Sequence, residues 1–156
     1  MKVSDILRVK GNTLYTVGPD EPLSRAVEVM AEKDIGSLVV MERGAIAGML
    51  TFREVIGCTV KHAGVLSDIQ VREAMDQQPR TCTPQTELDE VRHLMLESHA
   101  RYLPVMEDNV LMGVISFYDV ARAVVESQNF ENRMLKAYIR DWPVGQEQEQ
   151  ASEPHL

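Results

Sequence analysis

Gly48-Met49-Leu50-Thr51-Phe52-Arg53-Glu54 and, 65 positions later, Gly113-Val114-Ile115-Ser116-Phe117-Tyr118-Asp119 are the two stretches that decide the fold. Each reads as a glycine, two apolar residues, a hydroxyl, a phenylalanine, one variable residue and an acid. The register extends upstream without a gap, since Pro19 falls on Pro84, Leu23 on Leu88, Met30 on Met95, Val40 on Val105 and Met41 on Met106. Self-similarity at one fixed offset is the mark of an internal repeat. Further upstream, Val3-Ser4-Asp5-Ile6-Leu7 resembles Val71-Arg72-Glu73-Ala74-Met75 at an offset of 68, so the first copy carries three extra residues around Lys10-Gly11-Asn12-Thr13.

Working outward, each copy opens with a short extended piece, Tyr15 to Val17 or Thr81 to Thr83. A helix follows, striped by Leu23, Ala26, Val27 and Met30 in one copy and by Leu88, Val91 and Met95 in the other. Thr86, three residues before Asp89, reads as a capping box opening the second of these helices. Two strand-like runs come next, Ser37 to Met41 and Ile46 to Leu50, turning at Glu42-Arg43-Gly44-Ala45; the second copy turns at Glu107-Asp108-Asn109-Val110. Gly44 aligns with Asn109, both residue types that tolerate positive φ, so one left-handed turn geometry is expected in both hairpins. A second helix should start near Thr51 and near Ser116. One unit of this size buries too little alone, so the expectation is an α/β (α+β) fold of two βαββα repeats, packed through their sheets about a pseudo-twofold axis. The copies span residues 1–60 and 71–126, joined by a linker at 61–70. Phe130, Met134 and Tyr138, with Leu135 alongside, predict a C-terminal helix at 127–142, either joining a dimer interface or covering its own core. Residues 143–156, rich in Gln and Glu, are expected to be a disordered tail.

Composition narrows the function. With 16 basic and 24 acidic residues the net charge is −8, which disfavours nucleic acid and requires any phosphate to be gripped locally. Cys58 and Cys82 form no CxxC pair, no secretory start is evident, and no apolar run approaches the ~20 residues of a membrane span; a soluble cytoplasmic protein is expected. His62, His93, His99 and His155 show no paired metal spacing, and neither a P-loop nor a base–nucleophile pair occurs, so neither a metal nor an enzymatic reaction is expected. The nine methionines fall mostly at repeat-equivalent apolar positions, as core residues would.

The doubled Gly-apolar-apolar-Thr/Ser-x-x-acid motif, with Ile35-Gly36-Ser37-Leu38-Val39-Val40 and Ala100-Arg101-Tyr102-Leu103-Pro104-Val105 as middle strands, resembles the cystathionine-β-synthase (CBS) domain over residues 1–126. The resemblance implies a stand-alone tandem pair, a Bateman module. Many such modules bind AMP, ADP, ATP, NAD(H) or S-adenosylmethionine and report energy or redox state to a partner protein. It also implies a homodimer.

A hydroxyl at a strand-to-helix junction lies beside free N–H groups and the positive end of the helix dipole, where a phosphate binds, and an acid one turn on can accept ribose hydroxyls. Thr51 with Glu54 and Ser116 with Asp119 occupy those places. The same spacing is also a plain capping box, so a ligand-free interaction module is the alternative. The family usually has Asp where Glu54 stands, which predicts unequal sites with the stronger on Ser116 and Asp119. Arg53 is either a fork donor to phosphate or a solvated charge, and Lys10 either reaches a phosphate tail or is a surface lysine. By the resemblance, Thr83, Arg101 and Tyr102 flank the adenine or ribose of the site served by Asp119, with Gly36 and Ser37 as their first-copy equivalents.

Overall fold

The computed structural model describes residues 1–11 and 13–140; the tail expected at 143–156 lies outside them. In chain order the elements are α1 (Val3–Lys10), β1 (Thr16–Val17), α2 (Leu23–Lys33), β2 (Ser37–Glu42), β3 (Ala45–Thr51), α3 (Phe52–Lys61), α4 (Val71–Ala74), α5 (Leu88–Ser98), β4 (Tyr102–Glu107), β5 (Val110–Ser116) and α6 (Phe117–Arg140). No helix among the described residues is long and apolar enough to cross a membrane.

The repeat is visible at the level of single bonds. β2 and β3 pair antiparallel with Val40 opposite Gly48, and β4 and β5 pair with Val105 opposite Gly113; both ladders slip just after that pair, between Val40 and Met41 and between Val105 and Met106. The hairpin turns match as expected: Arg43 and Gly44 have φ of 53° and 78°, Asp108 and Asn109 of 49° and 64°. Two successive positive φ values make a type I′ turn, whose twist suits the strands it joins. β1 adds in parallel to β2, whereas Cys82 in the second copy makes only an isolated bridge to Val105, so Thr81 to Thr83 is a looser edge than expected.

The copies are bound by exchange. The leading arm of each docks on the other, and equivalent bonds are made twice. Leu23 N–H donates to Ile69 O at 2.7 Å and Leu88 N–H to Met1 O at 2.9 Å; Val71 N–H donates to Glu21 O at 2.9 Å and Val3 N–H to Thr86 O at 3.0 Å; Arg72 N–H donates to Pro19 O at 2.8 Å and Ser4 N–H to Pro84 O at 2.9 Å. The reason lies at the helix starts. α2 and α5 begin after Pro22 and Glu87, neither of which caps through its side chain, so their orphan N–H groups take backbone carbonyls from the other copy's arm. The capping box predicted at Thr86 is therefore not formed: the Thr86 hydroxyl instead accepts the Thr83 N–H at 3.0 Å. Ile69 and Val71 complete the first copy's core with Leu23, Met30, Leu38 and Leu50, each such side chain contributing roughly 1.5–3 kcal/mol.

Between α3 and α4, Leu66 packs on that core while Val60 and Val65 stay exposed. Of the paired methionines, Met30 and Met95 are fully buried, Met41 and Met106 only half-buried. The separate helix expected at 127–142 is corrected: α6 runs unbroken from Phe117 to Arg140, because residues 117–140 contain no glycine or proline to stop it.

Each arm crosses the other copy's hairpin at a glycine. A Cβ on Gly48 would lie 2.5 Å from the Asp76 carbonyl oxygen and 3.0 Å from Met75 Sδ, whereas one on Gly113 would meet only a methyl of Leu7 at 3.0 Å. The Asp76 carbonyl is fixed by the Met49 N–H at 2.9 Å, but the Leu7 methyl can rotate away. Gly48→Ala is expected to cost about 2–3 kcal/mol in urea unfolding and Gly113→Ala about 1 kcal/mol or less.

Candidate functional site

Thr51 and Ser116 stand at the junctions β3–α3 and β5–α6, and both close capping boxes. The Thr51 hydroxyl accepts the Arg53 N–H at 3.2 Å while the Glu54 carboxylate accepts the Thr51 N–H at 3.1 Å and its hydroxyl at 3.0 Å. Ser116 accepts the Asp119 N–H at 3.1 Å, and the Asp119 carboxylate accepts the Ser116 N–H at 2.8 Å. The first N–H of each helix is also taken, by Gly36 O at 3.2 Å and by Arg101 O at 2.7 Å. These residues thus organise their own helix starts, whatever else they bind.

Each helix start opens onto a cleft completed by the other copy. The larger, about 1000 Å³, joins Thr51, Arg53 and Glu54 to Arg80, His99 and Arg101. The smaller, about 490 Å³, joins Ser116 and Tyr118 to Lys10, Tyr15, Gly36 and Ser37. This alters the expected grouping. Gly36 and Ser37 share a cleft with Ser116 of the second copy, and Arg101 and Tyr102, expected to serve that site alone, border both clefts. The Tyr102 hydroxyl occupies the space where Gly36 lacks a side chain, with the Phe52 ring beside it. Thr83 lines neither cleft: it sits in a turn, its hydroxyl 3.1 Å from that of Thr86 and accepting the Gln85 N–H.

The two acids are in opposite electrostatic states. Burial pushes Glu54 above the usual carboxylate range, and the Asp76 charge adds to the push, against bonds from Thr51 and the charge of Arg53. Burial also opposes the charge on Asp119, but Lys10 and Ser116 outweigh it and hold the carboxyl below its ordinary value. Lys10 does this directly, its ammonium 2.7 Å from Asp119 Oδ2 and 2.8 Å from Val114 O. It is an exposed side chain bordering the smaller cleft, with its ammonium held by the second copy. The three extra residues of the first copy place Lys10 at the end of α1, eight residues long against four in α4, and so fasten that arm to the second copy. Asp119 itself does not line the smaller cleft; Lys10, which holds it, does.

Sequence reading missed Tyr15, Arg80 and His99. Tyr15 and Arg80 are repeat equivalents, 65 apart, so the offset alone could have paired them as corresponding positions of the two clefts. Among the described residues no group of His, Cys, Asp or Glu is arranged to hold a metal ion. The Cys82 thiol is pushed up to about 12 by burial and is chemically quiet.

The CBS domain family profile matches residues 3–60 and 71–126, and the protein belongs to the CBS domain family as a tandem pair. A mitochondrial CBS domain-containing protein of Arabidopsis thaliana is 29% identical over 147 residues, 88% of this chain and 71% of its own. The structure of a protein with CBS domains from Burkholderia ambifaria MC40-6 has a TM-score of 0.77 at 34% identity, covering 82% of this chain and 96% of that one. The structure of CBSX2 in complex with AMP matches with a TM-score of 0.68 at 24% identity over 81% of this chain and 98% of that one, a likeness of fold.

The Lys10–Asp119 pair sets a pH dependence. A folded carboxyl held below its unfolded value contributes stability above the unfolded pKa, and that contribution is lost as pH falls through the folded one. Lys10→Met is expected to lower stability by about 1 kcal/mol at pH 7 in urea unfolding, the two proteins converging as pH falls below the ordinary Asp value of 3.8.

Proposed function

We propose that the protein is a regulatory module, not an enzyme, that binds an adenosine ligand such as AMP, ADP, ATP or NAD(H) and signals energy or redox state to a protein partner. The observation that carries this reading is the placement of a helix-start hydroxyl in each inter-copy cleft, Thr51 with Glu54 in the larger and Ser116 in the smaller, in a fold shared with CBSX2, whose structure is a complex with AMP. The hydroxyl, beside the positive end of the helix dipole, suits a phosphate and the acid suits ribose hydroxyls. The caps do not compete with this role, because a carboxylate has lone pairs enough for a cap and a ribose together. Because each cleft takes walls from both copies, a ligand in it would bear on the angle between them.

α3 supports the homodimer reading: none of its residues is buried, and Phe52, Ile56 and Val60 form an exposed apolar stripe at helical spacing. Sedimentation equilibrium should give a dimer, and Ile56→Glu should shift it toward monomer.

Calorimetric titration with AMP, ATP and NADH is the direct test. At least one should bind, and Glu54→Ala or Asp119→Ala should weaken it roughly 10-fold or more, the loss of one charge-assisted contact. If none binds, the ligand-free interaction module is the correct reading.

A further inference from the structure

The two clefts are built on the same scaffold but differ in the arginines that border them. Arg53 and Arg80 border the larger cleft alone; 65 positions away, Tyr118 and Tyr15 stand at the corresponding places and line the smaller one, while Arg101 borders both. His99 in the larger corresponds to Asp34 in the smaller, both in the left-handed residue that ends the preceding helix. Three equivalent positions therefore change in one direction, each adding a cation or removing an anion on the larger side.

The arginines are also unspent. Arg8, Arg25, Arg72, Arg92 and Arg122 each hold a carboxylate, whereas Arg53, Arg80 and Arg101 make no ion pair or side-chain hydrogen bond among the described residues. The acids of the larger cleft are engaged locally, Glu54 by Thr51 and Asp76 Oδ1 by the Gln78 N–H at 3.0 Å. In the smaller cleft the ammonium of Lys10 is committed to Asp119 and Val114. In a chain of net charge −8, two unpaired guanidinium groups confined to one cleft, with Arg101 shared between the two, are a local anion site of the fork-donor kind.

We infer that the larger cleft, under Thr51, is the site for an adenosine ligand carrying two or more phosphates, with Arg53, Arg80 and Arg101 on the polyphosphate, and that the smaller cleft does not discriminate by phosphate number. The inference rests on the adenosine-binding reading and reverses the order of strength expected from Asp119.

Titration of the full chain with AMP, ADP and ATP in the presence of EDTA tests it. ATP should bind the higher-affinity site at least roughly 10-fold more tightly than AMP, with ADP between, and the gap should shrink with added salt. Arg80→Ala, an exposed position whose loss leaves the core intact, should weaken ATP roughly fivefold or more and leave AMP within about twofold. Inorganic tripolyphosphate should compete with ATP in the wild type and not in Arg80→Ala. Equal affinity for AMP and ATP, or equal loss of both in Arg80→Ala, overturns the assignment while leaving adenosine binding intact. Absence of binding by all three overturns the adenosine reading and the assignment together.

Discussion

The structure depends on the reciprocal docking of two leading arms. Neither α2 nor α5 carries a side-chain cap, and an uncapped helix start leaves donors that must be satisfied elsewhere. The carbonyls of Ile69 and Met1, each supplied by the arm packed on that copy, meet this need. The arms can approach only where the hairpins offer a bare backbone, at Gly48 and Gly113. Each copy's core, its helix start and its hairpin glycine are thus parts of one contact made twice, and the clefts exist because that contact sets the copies face to face.

Within this frame the helix-start motif does two jobs that local geometry does not separate. Thr51 with Glu54 and Ser116 with Asp119 are capping boxes by every bond they make inside the chain. Their chemical interest comes from the residues peculiar to each cleft: Arg80 and His99 in one case, Tyr15, Asp34 and a committed lysine in the other. Small changes in surroundings then drive the acids apart, Glu54 toward its neutral form and Asp119 toward its charged one.

Much of the fold was legible because repetition made each local reading count twice. The Gly44–Asn109 correspondence announced the turn geometry, and the helix starts expected near Thr51 and Ser116 fall at the ends of the two hairpins. What escaped was whatever depends on which copy touches which. A self-alignment shows that Val3 resembles Val71, but not that each docks on the opposite copy, and so Arg101, Tyr102, Gly36 and Ser37 were grouped by copy rather than by cleft. Lys10 was opaque for the same reason, since its partner Asp119 lies 109 residues away. Thr86 and Thr83 show a local signal overridden, because the Thr86 hydroxyl is taken by the Thr83 N–H while the Leu88 N–H is met by the carbonyl of Met1.

The exchanged arms have one more consequence, for descent. Two identical single-copy chains trading arms would form a symmetric pair whose clefts are obliged to be alike, since every substitution in one appears in the other. Joining the copies through residues 61–70 removes that obligation. Arg80 can then stand in one cleft where Tyr15 stands in the other, Arg53 where Tyr118 stands and His99 where Asp34 stands, so covalent fusion turns one duplicated surface into two that are free to specialise.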